Sequence, residues 1–248
     1  MSHSFLLKEG AFVISDAHYS SHRPELKALL QEIDSGILKP SQLILMGDIF
    51  DTLFGPIPYT LYVNQKMIDL LNSIAQKIEV IYLEGNHDFC LHSVFENIKV
   101  YPLASQPLTC KYKDKTILLA HGDFGEGLGY KIYTSLIRNR FILTCLKYID
   151  CLGNHFILKK LDTYLQEKED CNHFENFMEY IIIRLAKRFS NSCDYFIEGH
   201  FHQNRSFLVD NFIYINLAAF ACNQRYFIVQ SSQEELLLEV NASKESGE

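Results

Sequence analysis

Residues 79–89 read EVIYLEGNHDF. Val80, Ile81, Tyr82 and Leu83 form an unbroken apolar and aromatic run, which predicts a short buried strand. The run enters Gly85 and then presents an amide, an imidazole and a carboxylate at Asn86, His87 and Asp88. Glycine there permits a sharp turn and a close approach of backbone to a ligand. Upstream, residues 12–14 and 43–46 repeat the apolar strand pattern. Between them, Leu26, Leu29, Leu30 and Ile33 share one side of a predicted helix over 24–33, with Pro24 near its first turn. Val63, Met67, Leu70, Leu71, Ile74 and Ile78 keep helical spacing before the strand at 80–83. Strand, helix, strand, helix, strand is the order of crossover units, so the fold class is α/β.

After Pro102 the pattern changes. Residues 116–120, 194–197, 207–209, 212–217, 226–229 and 235–240 predict strands joined by short turns. A helical stretch, 126–190, interrupts them. One helix is expected from 130 to 152, with a wide apolar band that includes Ile132, Leu136, Phe141, Leu143 and Ile149. Another is expected to open on a capping box at Asn172 and Glu175 and to carry Phe177, Ile181, Leu185 and Phe189 on one side. The chain reads as a single domain, 1–248, with 126–190 as a helical lid inserted in it. Residues 125–129, Gly-Glu-Gly-Leu-Gly, read as its hinge. The polar tail from 241 is expected to fray.

Composition narrows the function. Of 248 residues, 48% are hydrophobic, enough for a sizeable core. The net charge is −7 and no basic block appears, which argues against a nucleic-acid partner. Seven scattered cysteines with no C-x-x-C pair read as reduced packing residues of a cytoplasmic protein. No signal peptide is evident, and no apolar run approaches the ~20 residues that span a bilayer. The expectation is a soluble chain that makes at most transient contact with a membrane surface.

The polar groups at the strand ends carry the chemistry. Strand 12–14 leads to Asp16-Ala17-His18, and 43–46 to Gly47-Asp48-Ile49-Phe50-Asp51. Strand 80–83 leads to Asn86-His87-Asp88, 116–120 to His121-Gly122-Asp123, and 194–197 to His200-Phe201-His202. In open α/β sheets that edge binds ligands. Asp16, His18, Asp48, Asn86, His121, His200 and His202 are too many donors for one tetrahedral zinc. A mixed nitrogen and oxygen set suits two divalent ions, foremost Mn²⁺, with Fe²⁺ or Zn²⁺ also accepted. Asp48, with two oxygens, is the natural bridge.

This series of motifs resembles the calcineurin-like metallophosphoesterase superfamily over about residues 12–217. The resemblance implies a mixed β-sandwich flanked by helices. It places Asp16, His18, Asp48 and His202 on one metal and Asp48, Asn86, His121 and His200 on the other. His87 would face the scissile phosphate, while Asp51 and Asp88 would orient imidazoles or water. Asp88 has a second reading, as a cap of its turn. Phe201 departs from the usual Thr or Ser. Within the superfamily, the His-Gly-Asp motif and the helical insertion look like the UDP-2,3-diacylglucosamine hydrolases of lipid A synthesis, in a divergent branch, since His87 stands where Arg is common. That likeness implies a lid that holds acyl chains and release of UMP from a nucleotide-lipid substrate at the cytoplasmic face of a membrane. Asn86, His87, Tyr130, Arg138, Lys159 and Lys160 are its candidate substrate contacts. The alternative is a phosphodiesterase or phosphatase for a small soluble ester such as a cyclic nucleotide; a third, non-enzymatic reading is an interaction scaffold. The oligomeric state is open.

Overall fold

The computed structural model describes residues 4–124, 128–189, 192–230 and 236–242. Along the chain run β1 (Ser4–Leu6), β2 (Phe12–Ile14), α1 (Glu25–Ser35), β3 (Leu43–Leu45), β4 (Leu53–Phe54), α2 (Pro58–Ala75) and β5 (Val80–Leu83). Then come β6 (Asp88–Phe89), β7 (Lys99–Tyr101), β8 (Leu108–Tyr112) and β9 (Lys115–Ala120). The helical stretch supplies α3 (Leu128–Ile137), α4 (Arg140–Leu152), α5 (Phe156–Glu167) and α6 (Phe177–Phe189). The chain closes with β10 (Tyr195–Glu198), β11 (Arg205–Val209), β12 (Phe212–Asn216), α7 (Phe220–Asn223), β13 (Arg225–Val229) and β14 (Leu237–Asn241).

Alternation along the buried strands builds two layers. One sheet has the order β14-β13-β2-β3-β5-β7, with β2, β3, β5 and β7 parallel. Register pairs Phe12 with Leu43 and Leu43 with Val80. Phe12, Ile14, Leu43, Leu45, Val80 and Tyr82 point one way, into a cluster with Leu26, Leu30, Met67 and Leu71 of α1 and α2. Val13, Ile44, Ile81 and Leu83 point the other way, against Ile117, Leu119 and Ile197 of the second sheet. That sheet has the order β1-β8-β9-β10-β12-β11, with β9, β10 and β12 parallel. Its outer face packs Leu118, Phe196 and Tyr214 on Phe177, Ile181 and Leu185 of α6. Two mixed sheets face to face, with helices outside, give the α/β sandwich that the motifs implied.

Arg184 fastens α6 to this sheet. Its guanidinium is 5% exposed, 2.6 Å from the wholly buried Glu198 carboxylate, and donates to the carbonyls of Gly122 and Phe124. The Tyr214 hydroxyl also donates to Glu198, at 2.6 Å. Arg184→Met would leave that carboxylate buried without its cation. The expected loss is about 3–5 kcal/mol of unfolding free energy, read from urea titration.

Several expectations change. The single helix over 130–152 is two helices, because the Asn139 side chain accepts the amide hydrogens of Phe141 and Ile142 and starts α4 afresh. The capping box at Asn172 and Glu175 does not form: the Asn172 amide donates to the Glu169 carbonyl, and α6 begins at Phe177. Residues 125–127 of the proposed hinge lie outside the described residues, as does the tail from 243; Asn241 itself ends β14. The cysteines are not all reduced. Cys171 and Cys222, with Cα atoms 5.8 Å apart, form a disulfide across 51 residues of sequence.

Candidate metal centre

Parallel β2, β3 and β5 end at one edge of their sheet, and β9 and β10 bring their own ends to the same place. The turns interlock through the backbone: His18 N–H donates to the Asp48 carbonyl at 2.9 Å and Gly199 N–H to the His121 carbonyl at 2.8 Å. Gly85 lets the β5 turn lie on the β3 turn. A Cβ there would fall on the Asp48 carboxylate and 2.6 Å from its amide nitrogen.

The candidate donors converge. Donor atoms of Asp16, His18 and His202 all lie within 4.8 Å of one another, as do those of Asp48, His121 and His200. His121 Nε2 is 3.3 Å from Asp48 Oδ2 and 3.3 Å from Asn86 Oδ1. His202 Nε2 is 3.2 Å from Asp16 Oδ1. Asp16, His18, Asp48 and His121 are buried. Asp16, His18, Asp48, His200 and His202 hold φ between 45° and 63°. A left-handed backbone at a non-glycine residue costs of order 1–3 kcal/mol, and such costs cluster at functional sites.

Three imidazoles are oriented as a metal requires. His121 Nδ1 donates to the Met46 carbonyl, His202 Nδ1 to the Asp170 carbonyl, and His18 Nδ1 lies 3.2 Å from Asp51 Oδ1. The two backbone carbonyls can only accept, so Nδ1 of His121 and of His202 carries a hydrogen, and Nε2 is the atom left to face a metal; the Asp51 carboxylate orients His18 in the same sense. His18 Nε2 is buried and has no hydrogen-bond partner among the described residues, an orphan that a cation would satisfy. Burial raises Asp16, but His202 beside it outweighs this and holds the carboxyl low. Burial likewise opposes ionisation of Asp48, yet His121 and His87 keep it well below the usual range. Burial pushes His121 down and Asp48 pushes it up further. The two ionised carboxylates draw positive charge to this edge, supplied by the neighbouring imidazoles or by divalent cations that would displace the imidazole protons. The residues fit the group.

His87 lies beside this set rather than in it. Its amide donates to Asp48 Oδ1 at 2.8 Å, and its Nδ1 donates to the Asp51 carbonyl at 2.9 Å. Burial holds the ring below the usual imidazole range. Donor atoms of His87, His18 and Asp51 also lie within 4.8 Å of one another. Asp88 takes the second of its two readings. Its carboxylate accepts the amides of Asp48, Ile49 and Gly85 at 3.0, 2.6 and 2.9 Å, and the Tyr82 hydroxyl. It clamps the two turns together and does not orient the His87 ring. Burial, then the Asp48 charge, pushes it up to about 7.

The candidate substrate contacts divide. A cavity of about 390 Å³ is lined by Asn86 and His87 together with Ile137, Ile142, Leu143, Leu146, Leu161 and Leu165. Arg138 lies over the Phe89 ring and donates to the Gly85 carbonyl at 2.8 Å, so it steadies the Asn86 turn. Lys159 and Lys160 do not line the cavity. Leu158, Leu161 and Leu165 take the inner face of α5, which turns both lysines outward; Lys159 Nζ donates to the Asn154 carbonyl. The side chain of Tyr130 lies outside the described residues. Lys168, at the C-terminal end of α5, does line the cavity. Sequence reasoning missed it, and also Arg23, which bonds Asp170 at 2.8 Å and stands 3.8 Å from Asp51. Neither belongs to a motif.

Comparison with known proteins places the chain. The calcineurin-like phosphoesterase profile matches residues 11–204. A UDP-2,3-diacylglucosamine hydrolase of Proteus mirabilis is 25% identical over 206 residues, 79% of this chain and 83% of that one. The Haemophilus influenzae protein of the same name is 30% identical over 115 residues, 46% of this chain and 48% of that one. Among solved structures, a novel archaeal phosphodiesterase aligns over 93% of this chain and 98% of its own, with TM-score 0.46 and 14% identity. With a profile match over most of its length, this chain belongs to the calcineurin-like phosphoesterase family and is a metal-dependent phosphoester hydrolase.

Proposed function

We propose that the chain cleaves the diphosphate of UDP-2,3-diacylglucosamine, releasing UMP and 2,3-diacylglucosamine 1-phosphate. The observation that carries this reading is the cavity of about 390 Å³, lined on one side by Asn86 and His87 and elsewhere by aliphatic side chains of α3, α4 and α5. A phosphoester enzyme for small soluble substrates has no need of an apolar chamber beside the reacting phosphorus. Relatives named for this hydrolysis support the same choice. On this reading α3, α4 and α5 form the lid over the acyl chains while the diphosphate meets the polar edge; α6, the last helix of 126–190, packs on the second sheet and is not part of it.

Asp16, His18, Asp48 and His202 would hold one divalent cation, and Asp48, Asn86, His121 and His200 the other. Mn²⁺ is our first choice, on the mixed donor set. The chemistry such a pair supplies is neutralisation of phosphoryl charge and acidification of a water to a pKa near ~7. Asp51 holds His18 in place. The Asp51 carbonyl fixes the Nδ1 hydrogen of His87 and leaves Nε2 for substrate. An anionic phosphate beside Nε2 favours protonation there, and the ring then donates to the leaving-group oxygen.

Purified protein with Mn²⁺ and the nucleotide lipid is expected to release UMP in equal amount to the acylated sugar phosphate, followed by mass spectrometry. No UMP, together with rapid turnover of a cyclic nucleotide or a simple diester, would reject the reading for the soluble-ester alternative.

The lid also supplies our reading of location, the cytoplasmic face of a membrane. Phe141, Leu152 and Phe156 are 76%, 89% and 66% exposed, and Arg140, Lys159 and Lys160 are exposed on the same helix pair. No single helix among the described residues is long and apolar enough to cross a membrane. Apolar tips flanked by cations suit an anionic lipid surface. The protein is expected to float with vesicles of phosphatidylglycerol, and Leu152→Glu with Phe156→Glu to stay in the pellet fraction. Equal flotation of both proteins, or of neither, counts against surface docking.

A further inference from the structure

The disulfide joins two loops that each support a residue of the same metal group. Cys171 follows Asp170, whose carbonyl accepts His202 Nδ1 at 2.5 Å. The Asp170 carboxylate is itself held by Arg23 and Lys168, at 2.8 and 2.9 Å. Cys222 follows Phe220 and Ala221, whose amides donate to the carbonyls of Ser15 and Asp16 at 2.9 and 3.1 Å. Asp16 and His202 then meet, Nε2 to Oδ1, at 3.2 Å. A closed ring results: Cys171–Cys222, the α7 turn, Asp16, His202, Asp170 and back to Cys171. Cys171 is exposed and Cys222 half-buried, so the bond is open to solvent thiols.

We propose that Asp170 is a positioning residue for His202, and that the Cys171–Cys222 bond sets how firmly it acts, making affinity for the Asp16, His18, His202 cation depend on redox state. This rests on those three side chains being ligands. Opening the bond needs a monothiol of the glutathione class. Its thiolate attacks Cys171 Sγ, forming a mixed disulfide and releasing Cys222 as thiolate. A second thiol resolves the mixed disulfide, leaving two cysteine thiols and one molecule of oxidised monothiol. The strap over 168–171 then keeps its ion pairs and the hydrogen bonds of the Lys168 and Glu169 carbonyls but loses its covalent tie to α7, and the Asp170 carbonyl can drift from His202. Partners that orient a metal-bound imidazole change metal affinity by roughly 10–100-fold, so about tenfold is expected here.

The test uses the full chain, metal-stripped, equilibrated in glutathione buffers of set ratio. Alkylation with iodoacetamide counts thiols, and Mn²⁺ is titrated by calorimetry. Once unfolded in denaturant, oxidised protein should alkylate at five of its seven cysteines; folded, it should bind one Mn²⁺ about tenfold more tightly than reduced protein. Coupling is reciprocal, so saturating Mn²⁺ should lower the midpoint potential of the bond by about 30 mV. Cys171→Ser with Cys222→Ser should show the reduced-state affinity in every buffer, whereas the exposed Cys151→Ser should behave as the parent. A cross-link that serves stability alone would change the melting temperature and leave both Mn²⁺ affinity and midpoint unmoved, which would overturn the proposal. Failure of oxidant to remove two thiols would also overturn it. Equal Mn²⁺ binding in both redox states rejects this inference and leaves the ligand reading intact. No Mn²⁺ binding in either state rejects both.

Discussion

Asp48→Ala is expected to lose at least about 10⁴-fold in kcat/KM, together with both divalent ions. The buried Asp48 carboxylate faces His121 at 3.3 Å, takes the His87 amide at 2.8 Å and groups with His121 and His200. It is the one carboxylate assigned to both cations. Removing it withdraws charge stabilisation of several kcal/mol from the transition state, and each 1.36 kcal/mol is a factor of ten. Asp48→Asn separates charge from shape: it keeps the oxygen that accepts the His87 amide and loses the anion. Both variants are to be assayed for Mn²⁺ content and for UMP release, with circular dichroism to show that they fold. A variant that keeps two ions and falls less than tenfold in rate would remove Asp48 from the bridging position.

His87→Ala is expected to behave differently. Mn²⁺ content should stay near that of the parent, while kcat falls by about 10²–10⁴-fold. The distinction follows from geometry: the ring bonds the Asp51 carbonyl and lines the cavity, whereas its backbone amide, which alanine keeps, supports Asp48. His87→Gln tests the role further, because an amide can donate a hydrogen bond yet cannot give up a proton. Partial recovery relative to alanine would make hydrogen bonding the larger part of its function. Loss of metal in His87→Ala would instead make this ring a ligand, within the His18, Asp51 and His87 group.

The site was more legible in the sequence than the lid, for physical reasons. Parallel strands buried on both faces must be continuous apolar runs, and β2, β3, β5 and β10 are such runs, so the residues just past them were visible as a series. Edge strands carry no such mark. β1, at an edge, has three residues; β8, inside it, alternates Leu108, Cys110 and Tyr112 inward with Thr109 and Lys111 outward, but over five residues only. In the helical stretch the apolar positions of α3 and α4 keep helical spacing on either side of Arg138 and Asn139, and the Asn139 cap marks the break. Asn172 had the right spacing for a cap but uses its amide on Glu169. Lys159 and Lys160 were read from charge near an apolar band. Their direction follows from Leu158, Leu161 and Leu165, which share the opposite face of a helix not separately expected. The Cys171–Cys222 bond spans 51 residues and depends on how two loops meet, which no local pattern encodes. Asp88 shows the reverse case. Both of its readings were open until its oxygens were found on three backbone amides.

The central claim is that Asp48 lies between two cations, and anomalous diffraction from crystals grown with Mn²⁺ tests it most directly. The account predicts two peaks at the manganese edge about 3.5–4 Å apart, both within coordination distance of the Asp48 carboxylate. One should also touch His18 and His202, and the other His121 and His200. A single peak, or two that share no ligand, would contradict the account.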